Sequence, residues 1–282
     1  MTVKIVTDST CDIPQQLVRE LGITVVPEFL RFGQKTYRDG IDINQDEFYR
    51  ELQNNPVYPS TSQPPPQDFF SVYQKLLTAS DDILSIHISS KLSGTYESAL
   101  VAAKKLMPEG CHIEVVDSLS VTMGLGLLVI EAAKMAQLGM SLPELFEKTK
   151  LIIPDIHLLG FFDTLKYLAL GGRIGKAKAM LGSVLNVKPI LIVKEGEMMP
   201  ASQVRTRARA TDRLFEFVSK ATKIRALSVI YSTTPDEAQT LAERFGNLFP
   251  KEQIIMSQLS SALGVHGGPG ILFVAMTANM SS

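Results

Sequence analysis

Two polar segments of this chain border apolar runs, and their residue types suit the binding of an anion. Residues 89–95 (SSKLSGT) follow the apolar run 83–88. Residues 264–270 (GVHGGPG) precede the apolar run 271–276, and they contain a further candidate donor, His266. A strand that opens through small hydroxyl residues and glycine into a helix presents free backbone N–H groups to an anion. Together the two segments indicate a protein that binds the polar end of a small acidic ligand.

The same two segments also admit a hydrolytic reaction. Ser93 and His266 are the residue types of a nucleophile and its base, as in a serine esterase or acyl transferase. No G-x-S-x-G segment surrounds Ser93, however. Serine is also a common N-cap of a helix, and a loop histidine commonly bonds the backbone. From the residues alone, capping, ligand contact and catalysis all remain open.

The glycine-rich segment 171–177 (GGRIGKA) does not meet the requirements of a phosphate-binding loop. Such a loop needs a glycine where Leu170 stands and a magnesium-binding hydroxyl where Ala177 stands. The sequence therefore predicts no nucleotide site, and we expect no cofactor. No H-E-x-x-H pattern or carboxylate cluster appears, and Cys11 and Cys111 lack the spacing of metal ligands. We therefore expect no bound metal.

Composition and charge place the chain among globular proteins and argue against two classes of partner. Of its 282 residues, 45% are hydrophobic and 20% are charged. The net charge of -1 gives no general attraction to nucleic acid or to anionic membranes. The apolar stretch 123–130 ends at Glu131, so we expect no stable membrane insertion. Two widely separated cysteines, and residues 1–8 without the apolar core of a secretory signal, predict a cytoplasmic protein.

The elements that must carry the polar segments fall into two patterns. In the first half, strand-like and helix-like stretches alternate, which predicts βαβ units and a mainly parallel sheet. In the second half, residues 189–194 and 197–203 resemble a tight hairpin, which predicts an α+β unit with a partly antiparallel sheet. We therefore predict an N-terminal α/β domain over residues 1–150 and a C-terminal α+β domain over residues 151–282.

Three further predictions concern elements near the polar segments. Residues 23–30 are predicted to form one strand. Residues 59–66, which end in three consecutive prolines, are predicted to form an extended loop because proline cannot continue a helix. The segment around His266 is predicted to be a loop that leads into a final strand, residues 271–276.

Two short clusters of basic residues stand out in a chain that is otherwise near neutral. A solvated face is the usual role of such clusters, and a docking surface for an acidic partner is the sharper alternative. The first cluster contains Arg173, Lys176 and Lys178, and the second contains Arg205, Arg207 and Arg209.

Short segments along the whole chain resemble the bacterial DegV family. They occur in the family's order, and they are residues 7–14, 61–64, 89–98, 117–118, 164–168 with 171–174, 188–191 and 266–270. The resemblance implies a two-domain α/β protein that binds one long-chain fatty acid in a buried apolar tunnel, with the ligand site between the domains. It also implies a partner. In this family a separate ATP-dependent fatty acid kinase subunit phosphorylates the bound carboxylate, which gives an acyl phosphate for phospholipid synthesis.

The resemblance also implies, by position, which residues bind the fatty acid carboxylate. They are Thr61 or Ser62, Ser93 with the adjacent Gly94, and His266. On this interpretation the chain is a lipid-binding subunit and not itself an enzyme.

Residues at the mouth of the site follow from the resemblance and from the basic clusters. Arg173 is expected near the mouth, where it would help the kinase subunit to dock, and Arg205 is a second candidate for that surface. The chain departs from the family's pattern in the segment after G-P-G, where the family commonly has small residues. Bulky Ile271, Leu272 and Phe273 stand there in this chain. The preferred length and saturation of the acyl chain are therefore left open.

Overall fold

A computed structural model describes residues 2–78, 82–106, 111–181 and 187–280. The strands are β1 (Lys4–Asp8), β2 (Thr24–Val26), β3 (Phe29–Phe32), β4 (Lys35–Arg38), β5 (Ser60–Ser62), β6 (Asp82–His87), β7 (His112–Asp117), β8 (Ile156–Phe161), β9 (Lys188–Lys194), β10 (Glu197–Val204), β11 (Ala221–Tyr231), β12 (Ile255–Gln258) and β13 (Leu272–Met280). The helices are α1 (Gln15–Glu20), α2 (Gln45–Asn54), α3 (Pro66–Leu77), α4 (Thr95–Leu106), α5 (Met123–Gln137), α6 (Leu142–Ile152), α7 (Lys166–Leu170), α8 (Arg207–Ser219), α9 (Pro235–Phe245) and α10 (Ser261–Gly267).

The first half of the chain builds a four-stranded parallel sheet in the order β2-β1-β6-β7. Its inner strand β6 is buried along nearly its whole length, as expected for a strand covered on both faces. Ile83 packs towards α3 and α4 in one buried cluster, whereas Leu84 and Ile86 pack in another with α5. The predicted mainly parallel sheet is confirmed.

The second half builds a six-stranded sheet in the order β10-β9-β8-β13-β11-β12. All its pairs are antiparallel except β11 with β12, so the predicted partly antiparallel sheet is confirmed as well. The predicted hairpin is β9 and β10, and Glu195 and Gly196 at its turn both have positive φ angles, 51° and 81°. That combination is typical of the tight turn whose twist matches a hairpin.

The predicted single strand over residues 23–30 is wrong, because Pro27 divides it into β2 and β3. Proline has no N–H to give to a ladder of hydrogen bonds. Past the break, β3 leaves the parallel sheet and forms an antiparallel sheet in the order β4-β3-β5, which the sequence did not predict.

Two predicted loops also contain regular structure. The proline-rich segment 59–66 is extended, as predicted, but it includes the strand β5, and its last proline, Pro66, begins α3. Proline is well tolerated there because the first helical N–H groups have no intrahelical partner. The segment around His266 is not a loop, since His266 lies in the last turn of the short helix α10. That helix ends where Gly268 takes a φ of 76°, a conformation that glycine adopts easily.

The largest buried cluster joins the two halves of the chain. It includes Ile86 and Val116 from the parallel sheet together with Leu158, Phe162 and Ala275 from the second half. The helix next to the predicted boundary, α6, packs on β6 and β7 and so associates with the first sheet. The division at residue 150 stays a prediction. Within the described residues, no helix is long and apolar enough to cross a membrane.

Candidate functional site

A cavity opens at the carboxyl ends of the central strands of the parallel sheet. Thr10 follows β1, and Ile88 and Ser93 follow β6, and all three line the cavity. The chain passes from β1 to β2 on one side and later to β6 on the other, so the strand order reverses at this point. In open α/β sheets, ligands bind in the crevice that forms at such a reversal.

The wall of the cavity is mostly apolar and comes from both halves of the chain. The cavity and its open mouth together hold about 720 Å³ of space without atoms. Its apolar lining consists of Ile88, Leu92, Val121, Phe162, Leu168, Met198, Leu259, Ala262, Leu263, Ile271 and Phe273. The lining therefore suits contact with an apolar ligand.

The bulky residues after G-P-G contribute directly to this wall. Ile271 and Phe273 line the cavity, whereas the intervening Leu272 belongs to a different buried cluster. The ring of Phe273 meets Phe162 edge-on, with 5.3 Å between ring centroids. A Cβ atom at Gly160 would lie 1.8 Å from the Phe273 ring, so only glycine leaves space for it there. This pair of rings shapes the apolar part of the cavity.

A threonine and a histidine form the first part of the polar end. Thr61 Oγ1 and His266 Nε2 lie 2.8 Å apart, and both residues line the cavity. Neighbouring residues of a strand face opposite sides, and Ser62 is exposed and is not among the described residues that line the cavity. Of the two candidates in β5, Thr61 is therefore the one in position to meet a ligand.

His266 is held as a neutral imidazole. Burial, followed by the positive charge of Arg173, lowers the pKa of His266 from 6.5 to about 4. Its Nδ1 is buried without a hydrogen-bond partner in the described part of the chain. A Cβ atom at Gly171 would lie 2.1 Å from that nitrogen. If Nε2 carries the proton, it donates to Thr61, and the Thr61 hydroxyl is then free to donate into the cavity.

Ser93 forms the second part of the polar end. It precedes Gly94, whose carbonyl accepts the first helical bond of α4 from Ser98 N at 3.0 Å. The Ser93 hydroxyl bonds the Thr95 hydroxyl at 2.8 Å, so it is not occupied in capping a backbone N–H of the helix. Gly94 itself packs against Gln63, where a Cβ atom would lie 2.5 Å from the amide nitrogen. Ser93 is thus available to the cavity.

The two arginines predicted at the mouth occupy different places. Arg173 is exposed and lines the cavity, and its guanidinium donates to Gly171 O at 2.8 Å and to Leu92 O at 3.3 Å. Arg205 is exposed just beyond the end of β10, and the cavity lining among the described residues does not include it.

Other members of the basic clusters serve the fold. Arg207, predicted to lie on a solvated or docking face, bonds Asp163 Oδ1 at 2.7 Å and also pairs with Glu237. Its guanidinium lies 5.0 Å from the centre of the Phe161 ring. Lys176 pairs with Glu197 at 2.6 Å. The half-buried Arg207 therefore ties three elements together and is not part of a free basic surface.

The contacts do not form the triad of a serine hydrolase. His266 Nε2 faces Thr61, and the Ser93 hydroxyl bonds Thr95. Among the described residues, no carboxylate bonds His266 Nδ1 to orient the ring. A nucleophile of this type needs a bond to its base, and the base needs an orienting group. The arrangement suits the binding of an anion better than acyl transfer.

Sequence reasoning missed one residue of the site, Glu28. This glutamate is only 4% exposed and lines the cavity, and its carboxyl group is hydrogen-bonded to the hydroxyl of Thr95. Burial, followed by the negative charge of Asp8, raises the pKa of Glu28 well above its ordinary value of 4.5. A single charge within the apolar run 23–30 was the signal that could have singled it out.

The described residues contain no group of three or more histidine, cysteine, aspartate or glutamate side chains placed to hold a metal ion.

Comparisons with known proteins agree with this architecture. The family model described as uncharacterised proteins of the DegV family matches residues 2–279. A DegV domain-containing protein of Caldanaerobacter subterraneus is 36% identical, over 96% of this chain and 98% of its own length. Protein DegV of Bacillus subtilis is 32% identical, over 96% of this chain and 98% of its own length.

Solved structures show the same likeness in three dimensions. A DegV family protein from Thermus thermophilus, described for its fatty acid binding, matches with a TM-score of 0.91 and 33% identity. The match covers 99% of this chain and all of the other. DegV of Bacillus subtilis, described as a fatty acid binding protein, matches with a TM-score of 0.89 and 29% identity over 99% of this chain and all of its own. The chain therefore belongs to the DegV family.

Proposed function

We propose that this protein binds one long-chain fatty acid, with the tail in the apolar cavity and the carboxylate at Thr61, Ser93 and His266. The observation that carries the proposal is an apolar cavity with neutral hydrogen-bond donors gathered at one end. The fatty acid binding of the Thermus thermophilus and Bacillus subtilis relatives supports it.

The division between tail and head follows from the energetics of each part. Burial of a methylene is worth roughly 0.8 kcal/mol. About fourteen methylenes would then contribute on the order of 11 kcal/mol, before the costs of association. Each hydrogen bond to a charged carboxylate adds about 1.5–3 kcal/mol. The tail therefore supplies most of the affinity, and the hydroxyl groups and the imidazole fix the position of the head.

We further propose that the protein is a cytoplasmic carrier and not an enzyme. It would present the fatty acid carboxylate to a separate ATP-dependent fatty acid kinase subunit, which would form the acyl phosphate used in phospholipid synthesis. Residues 171–177 do not match a phosphate-binding loop, so the proposal assigns the binding of ATP, the phosphoryl donor, to the separate subunit. Arg173, exposed at the mouth, is the residue best placed to meet that partner.

Equilibrium binding of a long-chain fatty acid tests the first part of the proposal. We expect micromolar or tighter binding by the wild-type protein, and a loss of about tenfold or more in each of Ser93→Ala and His266→Ala. The exposed neighbour Ser62→Ala is the matched control and should bind like the wild type. Equal fatty acid affinity in all four proteins would show that the carboxylate does not bind at this end of the cavity.

Acyl phosphate formation with added kinase subunit tests the second part. Arg173→Glu should retain fatty acid in the tail cavity yet slow acyl phosphate formation, because a reversed charge at the mouth opposes docking. Arg205→Glu, farther from the cavity, reports whether the docking surface extends beyond the mouth. If both variants form acyl phosphate at the wild-type rate, these arginines do not take part in docking and belong to a solvated face.

A further inference from the structure

A buried carboxyl group, Glu28, is linked to the ligand end of the cavity by a chain of hydroxyls. The Glu28 carboxyl group bonds Thr95 Oγ1, and Thr95 Oγ1 lies 2.8 Å from Ser93 Oγ. Thr95 is fully buried and Glu28 is 4% exposed, whereas Ser93 faces the cavity. The three side chains therefore connect the protein interior to the place proposed for the fatty acid carboxylate.

The direction of these bonds depends on where one proton lies. A hydroxyl has a single hydrogen to donate. If Glu28 is ionised it can only accept, so Thr95 must donate to Glu28, and Ser93 must donate to Thr95. The Ser93 hydrogen is then consumed, and only oxygen lone pairs face the ligand. If Glu28 is protonated, its O–H can donate to Thr95; Thr95 then donates to Ser93, and Ser93 keeps its hydrogen for the ligand.

We propose that Glu28 is a neutral carboxylic acid that sets the direction of the Thr95–Ser93 hydroxyl chain, so that Ser93 donates to a bound carboxylate. This inference rests on the proposed fatty acid site and assigns a positioning role to a residue that does not itself bind the head. An ionised Glu28 would leave Ser93 unable to donate and would add a second negative charge beside the ligand.

The surroundings of Glu28 favour the protonated form. Burial is the main reason, and the negative charges of Asp8 and Asp39 act in the same direction. The hydrogen bond with Thr95 and the charge of Arg173 act in the opposite direction, but burial outweighs them, and the Arg173 guanidinium is exposed, so water screens its charge. The remaining titratable group of the polar end, His266, is neutral above its pKa of about 4.

The backbone of Glu28 is fixed independently of its carboxyl group. Ser9 Oγ accepts the Glu28 N–H at 3.0 Å and donates to Asp39 Oδ2 at 2.8 Å. Replacement of the Glu28 side chain by one of similar size therefore leaves the backbone in place. The effect of the Glu28 carboxyl proton can therefore be tested separately from the effect of side-chain size.

Glu28→Gln and Thr95→Val test the direction of the chain. Glutamine has the shape of a neutral glutamic acid and keeps a donor for Thr95, so fatty acid binding at pH 7.5 should stay within about twofold of wild type. Thr95→Val removes the partner of Ser93 and leaves the Ser93 hydrogen free for the ligand, so binding should again stay close to wild type. If Glu28 were ionised in the wild type, both changes would release the Ser93 hydrogen, and binding would tighten about tenfold, the value of a hydrogen bond to a charged group. Unchanged thermal unfolding midpoints are the control for folding.

An infrared spectrum completes the test. The wild-type minus Glu28→Gln infrared spectrum should contain the carbonyl band of a protonated carboxyl group. Fatty acid binding that tightens about tenfold in Glu28→Gln and Thr95→Val, or a carboxylate band in place of the carbonyl band, would overturn the inference. A wild-type protein that binds no fatty acid would instead overturn the proposed function.

Discussion

At the scale of single residues, the site relies on neutral groups and not on a buried counter-ion. Thr61 and His266 pair at 2.8 Å, and the histidine is uncharged at neutral pH because burial lowers its pKa to about 4. A full positive charge beside the ligand would hold both carboxylate oxygens strongly. Neutral donors instead fix the head while leaving one oxygen open to reaction, which suits a carrier.

The first prediction concerns the hydroxyl of Thr61. Thr61→Val keeps the shape of the side chain but removes the hydroxyl, so fatty acid affinity should fall about tenfold or more. Isothermal titration with a long-chain fatty acid measures the change. Ser62→Ala, which removes a hydroxyl from the other face of the same strand, should change the affinity less than twofold. A larger effect in Ser62→Ala than in Thr61→Val would reverse the assignment of the two residues.

At the scale of elements, two helices determine where the imidazole lies. The N-terminus of α10 is held by Asp12, which accepts from Ser260 N at 2.9 Å, and by Asp39, which accepts from Ser261 N at 3.1 Å. The end of α7 then brings Gly171 against the imidazole of His266. The position of His266 is therefore set from both sides by backbone elements.

The second prediction compares two adjacent glycines after α7. In Gly171→Ala the new methyl group would lie 2.1 Å from His266 Nδ1, so it should displace the imidazole and weaken fatty acid binding severalfold. In Gly172→Ala the methyl group has no neighbour within 4 Å, but the φ of 70° costs about 1 kcal/mol of stability in a residue with a Cβ.

Binding assays and thermal unfolding together separate the two effects. Gly171→Ala should change mainly the affinity, and Gly172→Ala mainly the unfolding midpoint. The opposite pattern would mean that contact with Gly171 does not position His266.

At the scale of the whole molecule, buried carboxyl groups join the two halves of the chain. Asp12 follows β1, yet it bonds Ser260 N in the second half, and its backbone carbonyl accepts from Ser257. Burial raises the pKa of Asp12 to about 8 and that of Asp39 to about 6. The stability of this junction must therefore depend on pH.

The third prediction gives the sign of that dependence. Between its ordinary pKa of 3.8 and about 8, Asp12 holds a proton in the folded state that it loses on unfolding. Stability contributed by this group is therefore lost as pH rises, by at most about 1.4 kcal/mol per pH unit. The depressed pKa of His266 acts in the opposite direction, but only from pH about 4 to 6.5. Measurements between pH 6.5 and 8 avoid that contribution.

Chemical denaturation of the wild type and of Asp12→Asn tests this prediction. The free energy of unfolding of the wild type should fall between pH 6.5 and 8, and it should fall less steeply in Asp12→Asn, which cannot titrate. Parallel pH curves for the two proteins would show that Asp12 is not the group responsible.

The sequence predicted the sheets more completely than the site. The strand β6 was predictable because isoleucine and leucine occupy both of its faces, which is typical of a covered parallel sheet. The sheet of β3, β4 and β5 was not, since β4 is polar (KTYR) and β5 has only three residues, next to prolines. The segment around His266 was predicted to be a loop because it is rich in glycine, but it includes a helix of seven residues.

Within the site, residue type was predictable and pairing was not. Ser93 and His266 were candidates from their local segments, and both line the cavity. The Ser93–Thr95 contact is local, but that His266 bonds Thr61 and that Thr95 bonds Glu28 depends on how distant elements meet in space, which no spacing along the chain encodes. Glu28 was missed because a single glutamate gives no indication of its partners.

Native mass spectrometry of the purified protein, followed by extraction and identification of any released lipid, is the strongest test of fatty acid binding. We expect one equivalent of a long-chain fatty acid per chain, or its uptake when the free acid is added. In Ala262→Phe the larger side chain would fill part of the cavity, so this variant should retain little fatty acid. A wild-type protein that carries no fatty acid and takes up none in excess would contradict the proposal.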